Sequence, residues 1–192
     1  MGNNQPYEII VGVASIWLAP LETAFPDVDE VPAAAWISLG CTDDDGVTVT
    51  HTREYEQHFK GCSPLVQKVT LSSAADEISF NLAEITAQRY AKLLDDAAVT
   101  AVAAAAGTPG TQYFRIEPSL WPAQFAMLIR GASPLMDGNA QYEYVRVSVS
   151  DSVEVTYAKS DASVLACKFT AFEDTNNPGR FGTYRAQAAV AA

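Results

Sequence analysis

Alternation with a period of two dominates this chain. Glu77-Ile78-Ser79-Phe80-Asn81-Leu82 sends Ile78, Phe80 and Leu82 to one side and polar residues to the other, the signature of a half-buried strand. Residues 47–56 alternate as well. Val47, Val49, His51, Arg53 and Tyr55 share one face, and Thr48, Thr50, Thr52, Glu54 and Glu56 the other. The second face is wholly polar. Residues 66–71 are the expected partner, reached through Lys60-Gly61-Cys62-Ser63-Pro64, which predicts a hairpin with a sizeable loop. The apolar run 8–18 and the segment 35–40 predict earlier strands. Residues 112–117, 123–130, 142–149 and 164–172 predict later ones, with 153–157 as a short addition. Within 142–149, Val145, Val147 and Val149 fall on one face and Tyr144, Arg146 and Ser148 on the other.

One stretch changes period. Tyr90, Leu93, Leu94 and Ala97 recur at helical spacing, which predicts a helix over about 83–96. The alanine-rich 97–106 is able to extend it as far as Gly107-Thr108-Pro109-Gly110. Pro20, Pro26 and Pro32 make an extended acidic connection over about 19–35. Asp43-Asp44-Asp45-Gly46 predicts a turn, because Asp-Gly tolerates positive φ. The sequence Asp137-Gly138-Asn139 and residues 174–179 predict two more turns. The alanine-rich tail 186–192 is expected to be flexible or to order on assembly. The expectation is one domain over 1–192, mainly β, a β sandwich or barrel with one α-helix laid on it. Long polar-faced strands with few edge-blocking residues suit a building block joined to others edge to edge.

Composition sharpens that picture. The 192 residues are 48% hydrophobic, enough for a globular core. The net charge is −11, which disfavours tight direct nucleic-acid binding. No Lys or Arg precedes Arg53, while Glu8, Glu22, Asp27, Asp29, Glu30, Asp43, Asp44 and Asp45 do. Two readings stay open: a solvated acidic surface, or a surface that repels an anionic partner. Three cysteines, Cys41, Cys62 and Cys167, form neither a CxxC pair nor a disulfide framework. The N-terminus has no signal-peptide pattern, and no apolar run is long enough to span a bilayer. Synthesis in the cytoplasm and no membrane insertion are expected.

The search for chemistry predicts no catalytic residue, metal or cofactor. His51 and His58 are not an HExxH pair, and their spacing puts them on opposite strand faces. There is no GxSxG, Walker or GxGxxG sequence. Asp43, Asp44 and Asp45 lack the alternate spacing and the Glu of a calcium loop. Carboxylate pairs such as Glu54 and Glu56 occur on any acidic strand.

Residues 32–47, PAAAWISLGCTDDDGV, resemble the W-x-x-L-G-x-x-x-x-D-G-V opening of the tail tube (major tail) proteins of long-tailed bacteriophages. The order downstream is similar too: a long hairpin, Glu77-Ile78-Ser79-Phe80-Asn81-Leu82, a helix over about 86–94, and a last strand Ala166-Cys167-Lys168-Phe169-Thr170-Ala171-Phe172 followed by Asp174. The resemblance covers about 32–174. It implies a subunit of hexameric rings that stack into a tube, with strands of neighbouring subunits joined into one ring barrel and the helix outside. It implies a tape-measure protein, a tail terminator and distal tail proteins as partners, and transient passage of DNA through the lumen. On that reading Thr48, Thr50, Thr52, Glu54 and Glu56 are candidate lumen-lining residues. Tyr55, Gln57, His58, Phe59 and Lys60 are a candidate contact between rings. Another ring component of a phage tail, or the inner tube of a contractile or type VI-like system, is the alternative.

Overall fold

The computed structural model describes residues 14–59, 61, 65–94, 96–117, 119–133, 138–151, 153–155 and 164–187. In chain order the elements are β1 (Ser15–Ala19), β2 (Ile37–Gly40), β3 (Thr42–Phe59), β4 (Val66–Leu82), α1 (Ala87–Leu93), β5 (Thr100–Val102), β6 (Thr111–Tyr113), β7 (Gln124–Ala132), β8 (Asn139–Val149), β9 (Glu154–Val155), β10 (Leu165–Ala171) and β11 (Gly182–Ala186). The main sheet has the order β2-β1-β7-β8-β10-β4-β3, with β9 added on β10 and β11 on β8. Every pairing is antiparallel. β5 and β6 form a separate two-stranded sheet. The fold is mainly β with one short helix, as expected, but the sheet is open. β2 and β3 are its two edges, so the barrel alternative does not hold for the single chain.

The period-two pattern explains the core. Ile16 and Leu18 of β1, Phe125, Met127 and Ile129 of β7, Ile78, Phe80 and Leu82 of β4, and Leu165, Cys167 and Phe169 of β10 belong to one buried cluster. Phe80 and Phe169 stack across the β4–β10 ladder with ring centroids 5.8 Å apart. Val47 and Val49 of β3 line one cleft with Ile129 and Gly131 of β7. The sheet is therefore curled over a shared core rather than flat, as right-handed twist favours.

The acidic connection is an ordered second layer. Trp36, Ala19, Ala126 and Leu128 pack on the opposite face of β1 and β7, with Trp17 and Phe25 against them. Polar side chains of β7 and β8, among them the buried Gln141, pin its backbone. Gln141 Nε2 donates to Pro26 O at 2.8 Å, Arg130 Nη2 to Asp27 O at 2.8 Å, and Asn139 Nδ2 to Val28 O at 3.0 Å. A strandless segment carries unpaired carbonyls that must find donors when covered, and these three side chains supply them.

The residues that carry the family resemblance have structural roles. Trp36 anchors the second layer, and Leu39 is fully buried in the main core. Gly40 has φ +93°, and a Cβ there would lie 2.6 Å from the Arg89 guanidinium, which pairs with Glu84. Gly46 has φ +71° but open space around it.

Several expectations need correction. Asp43-Asp44-Asp45-Gly46 is not a turn between elements but an irregularity inside β3: Thr42 pairs with Leu82 and Val47 already with Phe80. Asp43 stabilises it, accepting from Asp45 N at 3.2 Å and from Asn81 Nδ2 at 2.7 Å. The segments 66–71 and 77–82 are one strand, because β4 pairs with β3 on both sides of the extra residue Ser72. The helix is only Ala87–Leu93, capped by Thr86, whose hydroxyl accepts from Arg89 N at 3.3 Å. Asp96, at φ +56°, closes it as Ala97 N donates back to Ala91 O. The alanine-rich stretch thus leaves the helix and pairs as β5. In β8 one extra residue lies between the partners of Phe125 and Met127, so Tyr144 and Val147 both reach the core despite opposite parity. The residues before Ala14 and the tail beyond Gln187 fall outside the described residues.

β11 was not expected at all. It continues the line of β10 along β8, with residues 172–181 looped out between them. That loop is organised on Asp174, which is buried and accepts from Asn176 N, Asn177 Nδ2 and Arg180 Nη2 at 2.9, 2.8 and 2.9 Å. These bonds, that of Asn177 first and then that of Arg180, hold its carboxyl pKa at about 2.

Two predictions follow from these positions. Gly46→Ala should cost about 1 kcal/mol, the strain of a left-handed residue alone. Gly40→Ala should cost about 2–3 kcal/mol, since the strain is joined by displacement of the Arg89–Glu84 pair; urea unfolding of the two variants gives the difference. The depressed Asp174 pKa stabilises the fold above the unfolded value of about 4 and ceases to do so as pH falls towards 2. Thermal unfolding should therefore show a steeper loss of Tm across that interval in the parent than in Asp174→Asn.

Candidate functional site

β4 is paired to β10 only from Glu77 to Leu82. From Asp76 to Val66 its one partner among the described strands is β3. The distal half of the β3–β4 hairpin therefore leaves the sheet as a two-stranded arm. Such a ribbon is marginal in water by itself.

Register assigns each residue a face, since directly paired residues in an antiparallel ladder point the same way. The polar face joins Thr48 to Ser79, Thr50 to Glu77, Thr52 to Ala75, Glu54 to Ser73, Glu56 to Thr70 and His58 to Lys68. The predicted polar set Thr48, Thr50, Thr52, Glu54 and Glu56 thus shares one face, and β4 doubles its width with further small and polar residues. Ser73 Oγ donates to Glu54 Oε2 at 2.7 Å, and the His58 ring lies 2.7 Å from Thr70 Oγ1. Lys168 of β10 reaches Glu77 at 3.1 Å on the same side. Glu54, Glu56 and Glu77 are joined at the sheet end of this face by Asp43, bonded to Asn81, and by Glu154, paired beside Ala166; with Lys68 and Lys168 as its lysines, the face is hydroxyl-rich and acidic. Glu22, Asp27, Asp29 and Glu30 lie in the segment over β1 and β7, on the other side of the core.

The opposite face of the arm changes character along its length. Near the sheet Val47 and Val49 pack on the core. At the root, Asp76 accepts from His51 Nδ1 at 2.9 Å and Arg53 Nη1 at 3.0 Å. It is also bonded to Tyr144, whose hydroxyl pKa is raised by burial first and by the Asp76 charge second. Beyond this node come the pairs Tyr55–Leu71, Gln57–Val69 and Phe59–Val66, with every one of these side chains exposed. Of the five residues expected to form a contact between rings, Tyr55, Gln57 and Phe59 lie on this apolar face. His58 lies on the polar face, and Lys60 lies outside the described residues. The β4 half of the apolar face, Val66, Val69 and Leu71, was missed. Extra residues at Gln67 and Ser72 break its alternation, so no simple period marks it in the sequence.

Nothing in this geometry points to covalent chemistry. Burial pushes the Cys167 thiol up to about 12, far from a reactive thiolate. Among the described residues no three His, Cys, Asp or Glu side chains are grouped to hold a metal ion.

A family model described as "Phage tail tube protein" matches residues 1–181 of the chain. A search of curated proteins returned no match. The match spans nearly the whole length, and Trp36, Leu39 and Val47 of the W-x-x-L-G and D-G-V segments pack in or against the two apolar clusters. The chain belongs to the phage tail tube protein family: it is a structural subunit of a phage tail, not an enzyme.

Proposed function

We propose that copies of this chain form hexameric rings that stack into a hollow tube and conduct DNA during ejection. The observation that carries the reading is the β3–β4 hairpin, which offers three unsatisfied surfaces at once. β3 is an edge strand from Thr42 to Phe59 with no proline in it, so its free backbone groups favour pairing with a neighbouring copy. That pairing completes a ring of joined sheets. The polar face carrying Thr48, Thr50, Thr52, Glu54 and Glu56 is the lumen lining. It has no net positive charge and therefore does not displace the counter-ions of passing phosphates, the step that drives binding to nucleic acid. The apolar face with Tyr55, Gln57 and Phe59 meets a subunit of another ring. A tape-measure protein sets the length of the tube, and terminator and distal tail proteins close its ends.

Negative-stain microscopy of the purified protein, and of lysates containing the other tail proteins, should show rings or tubes with a central channel. Monomers under every one of these conditions would sink the proposal. Leu71→Asp should abolish polymerisation while shifting the monomer Tm little, because the side chain is already exposed. Normal tubes from that variant would remove the apolar face from the assembly. The double variant Thr50→Lys with Thr52→Lys should still assemble but slow DNA ejection several-fold at low salt, with recovery as salt rises. An unchanged ejection rate would take this face out of the lumen.

A further inference from the structure

Sixteen large apolar side chains among the described residues are exposed. They are not scattered. Six lie on the end of the arm: Tyr55, Phe59, Leu65, Val66, Val69 and Leu71. Five lie between α1 and β7: Val102, Tyr113, Ile116, Leu120 and Trp121. Only five remain for the rest of the described surface.

The second group sits on a built platform. β5 and β6 pair with each other and with no strand of the main sheet. The Phe114 ring meets Tyr90 of α1 edge-on at 5.5 Å, tying the segment to the body. Ser119 Oγ donates to Trp121 O at 2.7 Å and accepts from Trp121 N at 3.3 Å, which fixes the backbone under the indole. Leu120 and Trp121 are held outward at 86% and 80% exposure. Water is a costly environment for such side chains, about 25 cal/mol for each Å² of apolar surface.

Each group amounts to several hundred Å², at or above the largest apolar patch of an ordinary monomer. In a contact between the two, each partner contributes one group, somewhat less than the roughly 800 Å² that a partner gives to a standard interface. Gln57 is the one polar residue among the arm's apolar pairs, and Leu120 and Trp121 adjoin Pro122. Arg115 and Glu117, on either side of Ile116, are exposed and lie 3.9 Å from each other, so each has an opposite charge beside it. Symmetry decides how they are covered. Arm against arm is a self-complementary contact that closes into a dimer and stops. Open-ended growth requires one surface of each copy to meet a different surface of the next. The chain carries two such surfaces, both apolar and of similar size.

We propose that the apolar face of one copy's β3–β4 arm seats on the Ile116, Leu120 and Trp121 surface of a second copy of this chain. The proposal rests on the tube reading above and adds the seat to it. Disulfide trapping tests it, in a parent carrying Cys41→Ser and Cys62→Ser with the buried Cys167 retained. Val69→Cys combined with Leu120→Cys, oxidised after assembly, should give a ladder of trimers and larger species on non-reducing gels. Neither single variant should give one. The pair Leu71→Cys with Trp121→Cys guards against poor geometry in the first. Tubes of normal appearance with no ladder from either pair would overturn the seat and leave the tube standing. Dimers from Val69→Cys alone would overturn it in favour of arm-on-arm contact. Micrographs taken before oxidation separate these results from a parent that makes no tubes, which would remove tube and seat together.

Discussion

Six residue pairs, from Leu165–Leu82 to Thr170–Glu77, fasten β10 to β4. The whole distal hairpin hangs from that ladder. Because Ile78, Phe80 and Leu82 are buried on the core side of it, the register of β4 is fixed by burial and not only by hydrogen bonds. β3 inherits its register from β4 along its full length. The Asp76 node, with His51, Arg53 and Tyr144 about it, stands where core packing ends and the free ribbon begins. It makes that boundary a defined point, since each of its polar groups has a partner and any displacement of the ribbon would leave buried charge unmet.

The same division between burial and exposure explains how the chain has a closed core and still offers surfaces for assembly. Its main core is enclosed by the curled sheet, and the outer face of β1 and β7 is covered by the Trp36 layer. What remains open is the two edges, the arm, and the platform between α1 and β7. The acidic connection lies on the far side of the core from the polar face of the hairpin. Acidic residues thus stand on both sides of the core, and the low affinity of the proposed channel for phosphate would come from neutral hydroxyls together with repulsion by acids such as Glu54, Glu56, Glu77, Asp43 and Glu154.

Much of this was legible in the sequence, for a stated reason. Where one face of a strand is buried, alternation writes the face into the residues, so β7, β10, the second half of β4 and both faces of residues 47–56 were readable. Alternation fails at irregularities. The extra residues at Ser72 and Gln67 hid the apolar half of β4, the one in β8 put Tyr144 and Val147 on the same side, and the Asp43–Gly46 insertion looked like a turn. β11 escaped because Gly182-Thr183-Tyr184-Arg185-Ala186 has no apolar alternation; its strand state comes from the ladder with β8. The helix was overextended because alanine favours helix wherever tertiary structure does not object. The apolar platform could not be separated from a buried segment by sequence alone, since exposure is a property of the fold.

The three interruptions in the β3–β4 ladder, after Thr42, Glu54 and His58, bear on mechanics. A regular two-stranded ribbon can shear by a two-residue step and recover its pairing. This one cannot, because each irregularity would have to move with the strand and would then face the wrong partner. Inside a subunit the hairpin behaves as a keyed rod. In a tube built as proposed above, bending would have to come from changed angles between subunits, since the arm would keep its length.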